Sequence, residues 1–290
     1  MNLRPIISRL KTIIEDRFLT APSIFFSPIF CGEDQSRVLN AVNQIKNTGA
    51  YNAGEIVPKA VCRELSAEMD KAFSGERSDL AYRINERTGI GHILNPLGLH
   101  PAVLKYATHP FLLAVIERYL GRRIYLADID LRLVPPMPMS EVDHRSGTKE
   151  LGYTSSHWHR DIRGHQVKVM IYLTDVGERD NNFAYLPGTH KGYQNRPRKV
   201  ENSRFTDEEV SSYPAEIVEC YGAAGTTLIF DTNPIHRLRR KSDSSTRYSI
   251  TFYYTPGQEL RKLDIDLKAL EGMEENLRNI FGGTRIQENL

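Results

Sequence analysis

The sequence predicts a mainly β protein with flanking helices (α+β), in which a helical N-terminal layer precedes an antiparallel sandwich or jelly roll. Two observations carry this. Through about residue 121 apolar residues recur at three-to-four spacing, and from residue 123 the period changes to two over six or more short segments. Helices followed by strands, rather than the two in alternation, favour an antiparallel sheet with helices against one side. Many short strands close most naturally as a sandwich or jelly roll. The expected organisation of the 290 residues is a single domain: a helical part over 1–121, a β core over 122–255 and a C-terminal helix within 256–290.

The helical part rests on four segments. "SRVLNAVNQIK" (36–46) and "PKAVCRELSAEMDKAF" (58–73) carry helical periodicity, the second with Pro58 at its start. "PAVLKYA" and "PFLLAVIERYLG" each open with a proline, and Gly121 closes the second. The first strand is "RIYLADIDLRLV" (123–134), with Tyr125, Ala127, Ile129, Leu131 and Leu133 on one face and Asp128, Asp130 and Arg132 on the other. "VKVMIYL" (167–173) sets Val167, Val169, Ile171 and Leu173 against Lys168, Met170 and Tyr172. "AEIVECY" and "TTLIFD" read as strands joined by the turn "GAAG" (222–225), and "RYSITFYY" (247–254) alternates again. A last helix is expected over 266–281. The stretches 135–154 and 189–213 are long and poorly patterned, as functional lids often are.

Composition narrows the class. A net charge of +2 does not suggest a nucleic-acid binder. Cys31, Cys62 and Cys220 are scattered and odd in number, which argues against a disulfide framework and for a reducing compartment. The opening residues lack the apolar stretch of a secretory signal, and no apolar run reaches the ~20 residues of a membrane span. A soluble, cytoplasmic protein is the expectation.

The segment "SSHWHRDIRGH" (155–165) crowds three histidines and an aspartate around the chain's one tryptophan. His159 and Asp161 stand at i and i+2, which in extended backbone point to one face. A distant histidine would complete two imidazoles and a carboxylate, a facial set that leaves three positions of an octahedral iron(II) open. His236, in "IFDTNPIHRLRR", is the candidate. Arg247 opens the next alternating strand, whose face continues with Ser249, Thr251 and Tyr253. A guanidinium there needs an anion, either a bound carboxylate or an Asp or Glu of the protein.

These motifs together resemble the phytanoyl-CoA dioxygenase family of iron(II)/2-oxoglutarate oxygenases. The resemblance rests on "WHRD" (158–161), "DNNFAYLPGTHKG" (180–192), His236 and Arg247, in that order, over about 155–255. It implies a double-stranded β-helix, the jelly-roll variant that cupins share. It implies His159, Asp161 and His236 as iron(II) ligands and Arg247 as partner of the distal carboxylate of 2-oxoglutarate, with dioxygen as second cosubstrate. Tyr172 falls near the aromatic that the family places beside 2-oxoglutarate. Leu238 stands where family members often carry a small hydroxyl residue, so Ser249 or Thr251 is expected to assist Arg247. Oxidative decarboxylation to succinate and CO₂ would drive hydroxylation, desaturation or cyclisation of a small-molecule metabolite, with a biosynthetic pathway as the expected setting. An intact Asp161 argues against halogenation, which needs a halide in the carboxylate's place.

Asp130, Arg132, Lys168, His157 and Trp158 are candidates for contact with substrate. The basic run 236–247, with Arg237, Arg239 and Lys241 on one strand face, reads either as recognition of an anionic substrate or as a solvated edge strand blunted by charge. Two other functions compete. One is a cupin-type metalloenzyme that uses His157 and His159 as a pair without 2-oxoglutarate. The other is a jelly-roll binding protein without catalysis.

Overall fold

A computed structural model describes residues 34–86, 88–136, 155–161, 166–191, 203–241 and 243–256, together with 265–266, 273, 279–281 and 286–287. In chain order the elements are α1 (Gln35–Thr48), β1 (Ala50–Glu55), α2 (Lys59–Phe73), β2 (Tyr82–Ile84), β3 (Gly91–Ile93), α3 (Pro101–Ala107), α4 (Pro110–Leu120) and β4 (Tyr125–Val134). There follow β5 (Trp158–His159), β6 (Val167–Tyr172), β7 (Asn182–Tyr185), β8 (Arg204–Phe205), α5 (Asp207–Ser211), β9 (Val218–Cys220), β10 (Thr226–Asp231), β11 (His236–Arg239) and β12 (Arg247–Thr255). Two short strands, β13 (Ile265–Asp266) and β14 (Ile286–Gln287), pair with each other in parallel.

Helix boundaries follow the local chemistry. The Asp34 carboxylate caps α1 by accepting from the backbone N–H groups of Ser36 and Arg37, and Gly49 ends it in the left-handed conformation. Pro58 immediately precedes α2. Gly121 closes α4 at φ 67°.

Among the described residues the strands form a seven-stranded sheet in the order β1-β10-β6-β12-β4-β3-β2 and a five-stranded sheet in the order β8-β5-β11-β7-β9, both antiparallel. The fold is therefore mainly β, as expected, and the two sheets do not close into a barrel. One face of the larger sheet packs on the helices. Val169, Ile171, Ile250 and Phe252 share a cluster there with Ile45, Leu65, Leu112 and Val115, all fully or almost fully buried. The alternate residues of β4, β6 and β12 turn toward the smaller sheet, and the site lies on that face.

The structure differs from the sequence reading in three places. The N-terminal part is not helical throughout: β1, β2 and β3 add strands to the larger sheet. These segments are short, β1 and β3 contain glycine, and each becomes a strand by pairing, β1 with β10, β3 with β4 and β2 with β3. The alternation expected over 123–134 slips by one residue. Tyr253 pairs with Asp128 but Tyr254 pairs with Leu126, so Ala127 is the extra residue of a bulge. Leu126, rather than Tyr125, therefore reaches the core. The basic run does not lie on an edge, since β11 is flanked by β5 and β7.

Other expectations fall largely outside the described residues. They include most of the 135–154 loop, residues 192–202 of the second loop, His165, Cys31 and most of the helix expected over 266–281. At the edges of that last segment, Asp266 belongs to β13 and Asn279–Phe281 form a 3₁₀ turn. Residues 203–213 hold β8 and α5, the latter opened by a capping box between Thr206 and Glu209. No helix among the described residues is long and apolar enough to cross a membrane.

The "GAAG" turn ends in Gly225, at φ 96°, whose N–H donates to the Tyr172 carbonyl and whose carbonyl accepts from Ile56 N–H. A Cβ there would run into the backbone carbonyl of Val57. Gly225→Ala combines a disfavoured φ with a backbone clash, so it should cost about 2–3 kcal/mol or more. The expected outcome is a fall of roughly 5–10 °C in melting temperature, read by circular dichroism.

Candidate metal centre

β5 and β11 meet at one register pair, His159 opposite His236. The two rings face each other with centroids 4.3 Å apart. Each ring is oriented by the carbonyl two residues before it: His159 Nδ1 lies 2.7 Å from His157 O, and His236 Nδ1 lies 2.8 Å from Pro234 O. A carbonyl only accepts, so each Nδ1 carries the proton and each Nε2 presents its lone pair.

Arg160, between His159 and Asp161, is buried. It donates to the Asn233 and Thr189 carbonyls, tying the end of β5 to the turn before His236. That turn is braced by Asp231, which accepts from Asn233 N–H and side chain and from the Tyr119 hydroxyl.

Asp161 completes the group. Its Oδ1 lies 3.5 Å from His159 Nε2 and 3.8 Å from His236 Nε2, and ligand atoms of the three residues all lie within 4.8 Å of one another. A facial set with metal–ligand bonds of about 2.1 Å needs donor atoms about 3 Å apart, so little movement is required.

Protonation states suit a metal as well. Burial, then the neighbouring His159, push the His236 imidazole down to about 3, so it stays neutral. Burial would raise the Asp161 carboxyl, but Lys168 first and the two histidines after it hold it well below the usual range. A neutral His236 imidazole and an ionised Asp161 are deprotonated donors of the kind a metal requires, His159 turns its Nε2 to the same point, and the residues fit iron(II).

The group opens on a cavity of ≈ 270 Å³. Phe183 and Phe230 line it and pack around His236, with ring centroids 5.7 and 6.0 Å from that imidazole. Arg247 lines it too, with 2 % of its surface exposed. Its Nη1 donates to Asn181 O at 3.1 Å, and its guanidinium lies 5.7 Å from the Tyr172 ring centroid. Burial lowers its pKa to about 10, so it remains a cation at neutral pH. No carboxylate among the described residues forms an ion pair with it, and a buried cation without an anion is costly. The carboxylate of a bound 2-oxoglutarate fits that need.

The other expected residues divide into those the fold brings to the cavity and those it does not. Thr251 and Arg132 line it. Ser249 is buried on the same face, paired across the strands with Tyr172 and Arg132. Tyr172 is fully buried and does not line the cavity. Its hydroxyl donates to Cys220 O and accepts from Phe183 N–H, so only its ring serves Arg247.

Asp130 lies behind Arg132, accepting from Arg132 Nη2 at 2.5 Å, and its other oxygen sits 2.8 Å from His92 Nδ1. Burial opposes its ionisation, but Arg132 and His92 keep it charged. Lys168 lines the cavity, yet its Nζ lies 2.5 Å from Asp161 Oδ2.

His157 does not join the metal group, as the cupin-type pair would require, and it contributes its carbonyl instead. Trp158 alternates away from the cavity. It packs with Ala184, Leu186 and Val210, donates to Asp207 and lies under Arg237. Arg237 pairs with Asp207, while Arg239 and Lys241 pair with Glu219, so acids meet the charges of this face.

Sequence reasoning passed over Phe183, Phe230, Met170 and Asn181. Strand parity shows Met170 on the face of Lys168, but nothing local marks Asn181 as the Arg247 acceptor.

The family described as phytanoyl-CoA dioxygenase matches residues 46–247, well over half of the chain. The chain belongs to this family. It is accordingly an oxidoreductase of dioxygenase type, working with iron(II), 2-oxoglutarate and dioxygen. No curated protein matches the sequence. Solved structures share the fold at low identity. SnoN, titled a non-heme α-ketoglutarate-dependent epimerase of nogalamycin biosynthesis, aligns with TM-score 0.55 and 13% identity over 77% of this chain and 82% of its own. SnoK, titled a carbocyclase of the same biosynthesis, aligns with TM-score 0.55 and 15% identity over 78% and 88%. HygX from Streptomyces hygroscopicus, with nickel and 2-oxoglutarate bound, aligns with TM-score 0.53 and 16% identity over 83% and 95%.

Within this phytanoyl-CoA dioxygenase relative, Asp161→Ala should reduce retained iron(II) or nickel(II) well below one equivalent after dialysis. His157→Ala should keep close to one, because its backbone carbonyl still orients His159. Metal analysis of the two variants checks this, and the reverse pattern would make His157 the ligand.

Proposed function

We propose that the chain acts as a single oxygenase unit, with His159, Asp161 and His236 holding iron(II) and Arg247 holding the distal carboxylate of 2-oxoglutarate. The observation that carries this reading is the pairing of one cavity with two unmet needs: three convergent metal donors and a buried guanidinium with no ion-pair partner among the described residues. Bound iron(II), 2-oxoglutarate and dioxygen supply the oxidation, in which 2-oxoglutarate loses CO₂ and becomes succinate while a substrate C–H bond is hydroxylated, desaturated or closed into a ring.

The chain's own residues position and shield. Arg247 orients the cosubstrate with a fork suited to a carboxylate, assisted by the Thr251 and Ser249 hydroxyls on its strand face. Phe183, Phe230, Met170 and Leu238 present apolar surface beside the metal group and limit water.

The substrate is a small molecule with an acceptor or anionic group. Arg132 supports this. Asp130 engages its Nε and Nη2, leaving Nη1 without a hydrogen-bond partner among the described residues at the cavity wall. Relatives of this fold are titled an epimerase and a carbocyclase of antibiotic biosynthesis. A specialised biosynthetic role agrees with them, as does a reducing, cytoplasmic setting with the free thiols Cys62 and Cys220.

The test is succinate and CO₂ formation from 2-oxoglutarate with iron(II) and ascorbate, alongside anaerobic titration of the iron(II)–2-oxoglutarate charge-transfer band. Absence of both would favour a non-catalytic binding protein. Breaking a buried charged pair costs about 3–5 kcal/mol. Arg247→Ala should therefore weaken 2-oxoglutarate binding by roughly two to three orders of magnitude, at ~1.4 kcal/mol per factor of ten, with iron retained. Arg247→Lys should recover part of the loss. Saturation of Arg247→Ala at wild-type 2-oxoglutarate concentrations would remove the cosubstrate assignment.

A further inference from the structure

Lys168 was expected at the substrate, and the fold gives it another neighbour. It stands on β6, in the larger sheet, across the cavity from the metal group. Its Nζ lies 2.5 Å from Asp161 Oδ2, and both side chains are largely buried. The opposite oxygen of the same carboxylate, Oδ1, is the one turned to His159 Nε2 and His236 Nε2. Oδ2 has no hydrogen bond, so the contact is one of charge on charge.

The lysine is itself held in place. Its Nζ sits 4.8 Å from the centroid of the Tyr253 ring, its cross-strand partner on β12. Its other cross-strand partner is Phe230 on β10. A cation that reaches the carboxylate from the far sheet thus divides its two oxygens, one toward the imidazoles and one toward itself.

We propose that Lys168 is a positioning residue that restricts Asp161 to binding the metal through Oδ1 alone. The inference rests on the assignment of the metal ligands above. Its consequence concerns vacancy. Three protein donors leave three positions on an octahedral ion; 2-oxoglutarate takes two and dioxygen needs the third. An aspartate that chelates through both oxygens takes one of these. Nothing else among the described residues binds Oδ2, so without Lys168 the carboxylate is free to rotate into chelation. The lysine keeps the site open without touching the metal. A lysine serves this better than an arginine, whose fork would engage both oxygens.

The experiment uses the full chain under anaerobic conditions, as wild type, Lys168→Met and Lys168→Arg. Lys168→Met keeps the apolar stem between Phe230 and Tyr253 and removes the charge. Three quantities are read: iron(II) retained per chain, 2-oxoglutarate affinity, and the position of the iron(II)–2-oxoglutarate charge-transfer band. Lys168→Met should retain about one iron, bind 2-oxoglutarate at least about tenfold more weakly and shift the band. Lys168→Arg should fall between the two in affinity.

An unshifted band in Lys168→Met, whether or not affinity drops, overturns the proposal, because a second Asp161 oxygen at the metal would move the band. If Lys168→Met fails to fold, the wild type decides. X-ray absorption or a crystal structure of its iron(II) form should show one Asp161 oxygen at the metal, and two would overturn the proposal. A wild type that shows no metal binding and no band at all would instead remove the ligand assignment itself.

Discussion

The site depends on one antiparallel register pair, His159 opposite His236. β5 is two residues long, so this pairing has little local sequence to hold it. Support comes from outside the strand. Arg160 anchors the exit of β5 to the Asn233 carbonyl, and Asp231 braces the same turn through Asn233 and Tyr119. A slip of one residue would turn both imidazoles to the wrong face, because side chains alternate with a period of two. Buried hydrogen bonds donated by the Arg160 guanidinium and accepted by the Asp231 carboxylate make that slip costly, since each would leave a charged group unsatisfied.

The larger sheet contributes by segregating its faces. On β6 and β12, Val169, Ile171, Ile250 and Phe252 go to the helices. Lys168, Thr251 and Arg247 go to the cavity. The helical layer thus holds the sheet from behind while its front carries charge. Three cations face that cavity from this sheet, and each has a distinct setting: Arg132 with Asp130, Lys168 with Asp161, and Arg247 with no carboxylate of the described chain. That difference makes Arg247 the candidate ligand site and Arg132 and Lys168 partners of the protein's own carboxylates. It also explains why a count of basic residues in the 236–247 run said little about substrate, since Arg237, Arg239 and Lys241 are paired with Asp207 and Glu219.

Much of this was legible in the sequence, and the reasons are local. His159 and Asp161 are two residues apart in extended backbone, and Arg247, Thr251 and Tyr253 share a parity, so alternation alone places them. Gly121, Pro58 and the "GAAG" turn act through backbone conformation, which the residue type itself carries. What escaped was long-range. The bulge at Ala127 appears only when β4 is laid against β12. β1 is a strand because β10 lies beside it. Trp158 looked like a neighbour of the metal because it is adjacent in sequence, yet adjacency in a strand sends it to the opposite face. The Lys168–Asp161 contact joins two sheets, and Tyr172 turns out to have its hydroxyl bonded to backbone atoms of β7 and β9. No periodicity encodes such partners.

The most direct test of the account is a crystal structure of the wild-type chain grown anaerobically with iron(II) and 2-oxoglutarate. The account predicts one metal ion bound by His159 Nε2, His236 Nε2 and Asp161, with 2-oxoglutarate chelating it and the distal carboxylate in bidentate contact with Arg247. A metal bound elsewhere, or 2-oxoglutarate seated with its distal carboxylate away from Arg247, would contradict it.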